Sequence, residues 1–382
     1  MKTLKSKRVL FFVIWGFLFL LGFYCAKKEK EGDLKSVRLI DFQPKPMLVV
    51  KETKIEKAKF PVIDAHNHLR RLARPGEDIA QYVKIMDECN VKMVVNLDGG
   101  WGGALDSVMK KMKEPYPDRF IIYTNLDYSK INEPDYPDYI GNLVEESIKK
   151  GAQALKISKS LGLGVKEADG SYLRVDSPKL DKAWDVCGKY GVPVTIHIGD
   201  PLAFFTPLDR FNERLEELMD HPGWMFNKPE FYTIDQLFEQ RDNLLQKHRN
   251  TNFIGAHIGG FSEDLQRAGE YLDKHPNLYY DTSARIHEMG RQPYTARKFL
   301  IKYADRIVFG TDGCDSGAIN ANMYHLNWRW YESDDEYFDV AKGHHYQGRW
   351  MVYGIFLADD VLQKIYNGTA KKLYPSLKNV KI

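Results

Sequence analysis

Cysteine is scarce: four residues in 382, at positions 25, 89, 187 and 314, with no short spacing between any two. That pattern excludes a disulfide framework and a zinc ribbon. Cys89 and Cys187 fall in helix-like stretches and read as small core residues, and Cys314 is read the same way. Also absent are a glycine-rich dinucleotide loop, a phosphate loop ending in Gly-Lys-Ser/Thr, a nucleophile-elbow serine and a His-Glu-x-x-His pair. Their absence removes the nucleotide-binding, serine-hydrolase and zincin classes those motifs mark.

A strong charge of one sign is missing too. The formal net charge is +3, but residues 1–60 hold 14 basic and 6 acidic side chains, and the other 322 residues hold 41 basic and 46 acidic. An acidic body is a poor match for a phosphate backbone, so nucleic acid is set aside as a partner. Only one long apolar run occurs, the 18 residues Val9–Ala26, preceded by Lys2, Lys5, Lys7 and Arg8. At helical rise it spans about 27 Å, enough for a bilayer's hydrocarbon core. It reads as an export signal or a single membrane anchor over residues 1–26, followed by a charged linker over 27–59. Cys25, at the end of the run, resembles the lipidated cysteine of a bacterial lipoprotein, although Tyr24 stands where a small residue is usual. Lipidated cysteine and uncleaved anchor both stay open. Either places the rest of the chain outside the cytoplasm, tethered to a membrane.

After residue 60 the chain alternates. Predicted strands are 60–63, 91–97, 120–126, 153–157, 193–198, 252–256, 278–281 and 306–309; predicted helices are 78–89, 104–113, 136–150, 179–190, 233–248, 263–273, 293–303 and 358–373. Strand followed by helix, eight times over, predicts an α/β fold with a parallel sheet closed into a (β/α)8 TIM barrel across residues 60–382. Two connections exceed ordinary loops: 200–232 and 313–357, of 33 and 45 residues. In this fold, active sites collect at the C-terminal ends of the strands. His66 and His68 follow the first strand, Asp98 and Trp101 the second, His197 the fifth, His257 the sixth, Asp281, Ser283 and Arg285 the seventh, and Asp312 the eighth, while Lys156 lies on the fourth.

In extended backbone, His66 and His68 point the same way, so two imidazoles can reach one ion. Singly, His197 or His257 would read as a hydrogen-bonded core histidine, and Asp312 as a turn or cap residue. Their joint placement at one barrel mouth is what carries the signal. Val62-Ile63-Asp64-Ala65-His66-Asn67-His68, Thr195-Ile196-His197, Gly255-Ala256-His257 and Phe309-Gly310-Thr311-Asp312 resemble the amidohydrolase superfamily, in particular its amidohydrolase-related, family 2 branch. Asn367–Leu373 is similar to that family's closing helix, and the likeness spans about residues 61–374.

The resemblance implies one divalent ion, zinc foremost, held by His66, His68, His197 and Asp312. Asp312 would also accept and return a proton, and His257 would orient substrate or donate to a developing oxyanion. An ion in such a set brings the pKa of its water to about 7. Lys156 matches a strand-four lysine that, once carboxylated, bridges two metals in binuclear relatives; the simpler reading is a mouth cation paired with a carboxylate. Arg70, Arg285 and Trp101 join Lys156 as candidate substrate contacts, the arginines as clamps for a carboxylate. Gly313-Cys314-Asp315 departs from the aromatic residue and proline found there in many relatives. The aromatic-rich stretch 313–357 reads as a pocket lid or as packing on the barrel's outside. The expected function is metal-dependent hydrolysis of an amide, ester or lactone in a small molecule. The rivals are decarboxylation or hydration of an aromatic or unsaturated acid on the same site, and metal or carbohydrate binding without catalysis. Oligomeric state stays open.

Overall fold

The computed structural model describes residues 34–380, except 39–40, 43, 75, 200, 315–319, 341–346 and 379. Residues 1–49 and 50–382 form separate compact units. The predicted signal or anchor, with Cys25, lies outside the described residues. Among the described residues, no helix is long and apolar enough to cross a membrane. Of the first unit, the described part contains one short helical turn, Leu34–Ser36.

The second unit is the barrel. Its strands are β1 (Val62–His68), β2 (Val91–Asn96), β3 (Phe120–Asn125), β4 (Ala154–Ile157), β5 (Val194–Ile196), β6 (Phe253–Gly255), β7 (Leu278–Asp281) and β8 (Ile307–Val308), followed by a two-residue β9 (Gly313–Cys314). Each of β1–β7 pairs in parallel with the next strand, as far as β8. Between β8 and β1 the seam is closed by the chain beyond β8: the Ala65 amide donates to Phe309 O at 2.9 Å, the Asp312 amide to His66 O at 2.9 Å, and β9 pairs with Asn67 and His68. The helices that matter below are α1 (Ile79–Glu88), α2 (Gly102–Val108), α3 (Tyr136–Lys149), α4 (Asp181–Tyr190), α5 (Leu215–Asp220), α6 (Ile234–Lys247), α7 (Leu265–Lys274), α8 (Pro293–Lys302) and α9 (Ala321–Glu332).

Local chemistry fixes the boundaries. Asp78 caps α1 through the Gln81 amide, and Thr233 with Gln236 makes a reciprocal capping box at α6. Gly191 stops α4 in the left-handed region at φ 68°. Inside the barrel, Ile63, Ala65, Val95, Ile121, Ile254 and Val308 form one apolar cluster. Tyr374 belongs to it, and its hydroxyl lies 2.6 Å from that of Tyr123.

Residues 50–59, read from sequence as the end of a linker, run along the barrel instead. The Thr53 amide and hydroxyl donate to Asp335 at 2.6 and 2.7 Å, and the Ala58 amide donates to Cys89 O. The aromatic stretch after β8 settles mostly on the outside. Tyr324, Trp328, Trp330 and Tyr331 of α9 are buried, and rings of this helix pack on Phe309 and Tyr366 at 5.1–5.8 Å between centroids.

Candidate metal centre and substrate cavity

The mouth of the barrel is strained in a consistent place. His257, Ile258, Ala284 and Asp312 have φ of 59°, 56°, 51° and 61°, left-handed values that non-glycine residues adopt at a cost. These positions follow β6, β7 and β8, so three successive strand ends turn sharply and present side chains inwards.

His66 is buried, and its Nδ1 lies 2.7 Å from Asp281 Oδ2. Burial would by itself raise the Asp281 carboxyl, but the charge and hydrogen bond of His66, with donors from Ser283 and the His257 amide, hold it down at about 2. An ionised carboxylate keeps the imidazole proton on Nδ1. Burial and the nearby Lys156 lower the His66 pKa, which favours the ring form with a lone pair on Nε2. That Nε2 makes no hydrogen bond and lies 3.4 Å from Asp312 Oδ1. His68 repeats the arrangement, with Nδ1 3.0 Å from Asp98 Oδ1 and Nε2 3.6 Å from Asp312 Oδ1. Burial would raise Asp312 as well, and His66, His68, Lys156 and His197 outweigh it to leave the carboxyl lowered.

Two imidazoles with Nδ1 tied to carboxylates, and lone pairs turned on one carboxylate oxygen, make a donor set for a divalent transition ion. The unsatisfied Nε2 of His66 is the observation that tests the fit, and it agrees. His257 belongs to the same cluster: ligand atoms of His66, His257 and Asp312 all lie within 4.8 Å of one another. His197 packs edge-on against His257 with ring centroids 4.5 Å apart.

His257 differs from the expected oxyanion donor. Its Nδ1 lies 2.9 Å from the Ser283 carbonyl, which only accepts, so the proton sits on Nδ1 and Nε2 offers a lone pair. Burial, Arg285 and the other histidines push its pKa well below the usual histidine value, so a second proton is disfavoured. As placed, His257 is an acceptor or a ligand.

A cavity of about 340 Å³ opens over these groups, with His68, His197, His257, Asp312 and Arg285 in its wall. The expected substrate contacts separate. Arg285 lines this cavity. Lys156 is 4% exposed and sits among Asp98, Asp281 and Asp312, whose charges it feels, but its Nζ makes no hydrogen bond, so the expected pairing with a carboxylate is not formed. Arg70 is a surface residue, its side chain 74% exposed and 3.7 Å from Asp98. Trp101 is 38% exposed and lines a different groove with Tyr139 and Asn142. The reason is the turn before it: a side chain on Gly99 would meet Tyr123 O at 1.9 Å, so the glycine packs tight on β3 and the following residues start α2.

Sequence reasoning missed the opposite wall. Phe204, Arg214, Glu217 and Trp224, all from the connection after β5, line the cavity. Arg214 is 1% exposed and donates to Glu217 at 2.6 Å and to Glu288. The only sequence signals were the excess length of that connection and the Arg-x-x-Glu spacing on a helical turn.

A family model described as Amidohydrolase, the amidohydrolase-2 group, matches residues 103–376. The chain belongs to that amidohydrolase family. The matched span includes His197, His257 and Asp312 and begins after the β1 histidines. No curated protein matches the chain. Among solved structures it is similar to a 2,6-dihydroxybenzoate decarboxylase complexed with 2,6-dihydroxybenzoate, at 17% identity, covering 82% of this chain and 99% of that one with a TM-score of 0.51. It is also similar to an amidohydrolase II, at 14% identity over 82% and 99% with a TM-score of 0.51. A TIM-barrel protein of Bordetella bronchiseptica matches at 15% identity over 82% and 98% with a TM-score of 0.50. At such identities the likeness extends to the fold, and the fold is the TIM barrel read from the sequence. Family membership supports an enzyme.

Proposed function

We propose that the protein is a metal-dependent hydrolase acting on an amide, ester or lactone bond of a small molecule. The observation that carries this is the pair of carboxylate-anchored imidazoles, His66 and His68, turned on Asp312 in the wall of a cavity. His66, His68 and Asp312 would hold one divalent ion, with His197 and His257 beside them. When bound, such an ion supplies Lewis acidity and makes water a nucleophile at neutral pH. Asp312 takes a proton at its carboxylate and returns it to the leaving group. Asp281 and Asp98 orient the imidazoles through Nδ1, and Phe204 and Trp224 shield the reacting group from bulk water.

Elemental analysis of protein purified without added chelator tests the centre, with about one equivalent of zinc or a similar ion expected. A preparation that stays empty after soaking would sink the reading, and two equivalents would promote Lys156, carboxylated by carbon dioxide, to a ligand. A panel of amides, lactones and aromatic acids then tests the reaction, and Asp312→Asn should abolish whatever turnover is found while leaving the fold intact.

A second reading, decarboxylation of an organic acid, draws support from Arg285, a buried cation in the wall of the same cavity. Release of carbon dioxide from the acid arm of the panel separates the two.

The basic flank and apolar run over residues 2–26 support an exported, membrane-tethered protein. Full-length protein should sediment with membranes and resist a salt wash; incorporation of labelled fatty acid that Cys25→Ala abolishes would assign the lipidated form.

A further inference from the structure

We propose that the cavity is built for an organic oxyanion with a short apolar arm, the anionic group at Arg285 and the arm in a side chamber walled by the stretch after β8. The proposal deepens the reading of this cavity as an active site and rests on it.

Arg285 is 5% exposed. Its Nη1 donates to Ala284 O at 2.8 Å, and its Nε is buried with no partner. Glu263 and Glu288 feel its charge, yet among the described residues no carboxylate comes within ion-pair distance of it. Glu288 is already engaged with Arg214. The contrast between the two guanidiniums is the argument. Arg214 is buried with two carboxylates in contact, as a buried charge ordinarily must be. Arg285 is buried beside the same cavity with none. A desolvated cation without a counterion is costly, and a fork of guanidinium N–H groups matches the paired oxygens of a carboxylate or phosphate. The missing counterion therefore arrives with the ligand, on the wall that also holds His257 and Asp312.

A second chamber of about 50 Å³ adjoins the cavity and shares Ala284 and Gln347 with it. Its walls are largely apolar: Ile286, Met323, Leu326 and Val340. A water fills about 10–15 Å³ on this measure, so the chamber holds an arm of roughly three or four heavy atoms. At the junction, Gln347 is 2% exposed and its Oε1 is buried without a partner. It is placed to accept a hydrogen bond from a ligand that carries an N–H or O–H between head and arm, a further contact that the head and the arm do not require.

The test is isothermal titration calorimetry on the full chain in mild detergent, stripped of metal so that no probe binds an ion directly. The probes are isobutyrate, its neutral isostere isobutyramide, acetate, which lacks the arm, and isopropylphosphonate. Isobutyrate should bind at least tenfold tighter than isobutyramide and measurably tighter than acetate. Arg285→Met should cost isobutyrate tenfold or more and leave isobutyramide unchanged. Leu326→Phe, which fills the chamber, should erase the advantage of isobutyrate over acetate without weakening acetate. The phosphonate arm decides the head group: tighter binding than isobutyrate assigns a phosphate-like anion, weaker binding a carboxylate. Equal affinity for acid and amide, no binding of any probe, or unchanged isobutyrate binding in folded Arg285→Met overturns the proposal. Should that variant fail to fold, Arg285→Lys, which keeps charge but not the fork, is expected to lose part of the affinity, and the acid–amide comparison on the unmodified chain still decides. Failure to find metal by elemental analysis would count against the hydrolase reading while leaving these affinities standing.

Discussion

A single carbonyl decides what His257 can do. The Ser283 oxygen accepts a hydrogen bond from its Nδ1, and the carboxylates Asp281 and Asp98 lie in the same position at Nδ1 of His66 and His68. With Nδ1 so engaged, all three rings turn Nε2 toward the space around Asp312. Carboxylates that hold a ligand histidine in this way commonly affect metal affinity about 10- to 100-fold. Asp98 is the cleaner one to remove, because Asp281 also accepts from Ser283 and from the His257 amide. Asp98→Ala should weaken zinc binding about tenfold in competition with a chromogenic chelator, with little change in Tm. Unchanged affinity would refute the relay through His68.

At the scale of elements, α9 separates the two readings of the stretch after β8. Trp328 is fully buried and packs on Tyr366 and on Phe309, which follows β8 at the barrel seam. Truncating such a side chain costs about 3–5 kcal/mol. Trp328→Ala should therefore lower Tm by several degrees and leave zinc affinity where it was; a lid would show the reverse, a ligand-binding defect at normal Tm. Other residues of this helix do reach the site, Met323 and Leu326 in the wall of the side chamber and Tyr324 at its scaffold. Tyr324 donates to Asp64 at 3.1 Å, and Asp64, its carboxyl raised to about 6 by burial against several hydrogen bonds, accepts from Thr311 next to Asp312.

Strand boundaries tell how much of this was readable. The β/α alternation placed all eight strands, and β7 matches its predicted bounds of 278–281. β1 was cut short at 63, where the apolar run ends, and Asp64, His66, Asn67 and His68 were placed after it, with the two histidines in extended backbone. They are strand residues, since β2 on one side and β9 on the other complete their ladder. Placement of the metal-type residues followed from the strand-end rule alone. The Arg214 wall did not, because an arginine and glutamate three apart look like a solvent-facing helical pair, and burial of both depends on contacts 74 residues away at Glu288. Arg70 and Trp101 failed for a related reason: proximity in sequence to a strand end says nothing of which way the following turn leaves it.

For the whole molecule, the centre lies across the one seam where the barrel is not closed by ordinary strand pairing. His66 and His68 come from β1, and Asp312 from the segment linking β8 to β9, which meets β1 through the Ala65 and Asp312 amides. An ion held by all three would act as a staple between the first and last strands. Its stabilising effect follows from mass action, about 2.7 kcal/mol when free metal is a hundredfold above Kd. The barrel interior and its outer helices supply the rest, so chelation should leave a folded protein. Tm is expected to fall by several degrees on metal removal and to recover on adding zinc. Amide hydrogen exchange should rise mainly in peptides covering 62–68 and 307–314, and far less in β3–β5. A uniform rise across the barrel would show instead that the ion is required for the fold as a whole, and an unchanged seam would show that it is not bound there.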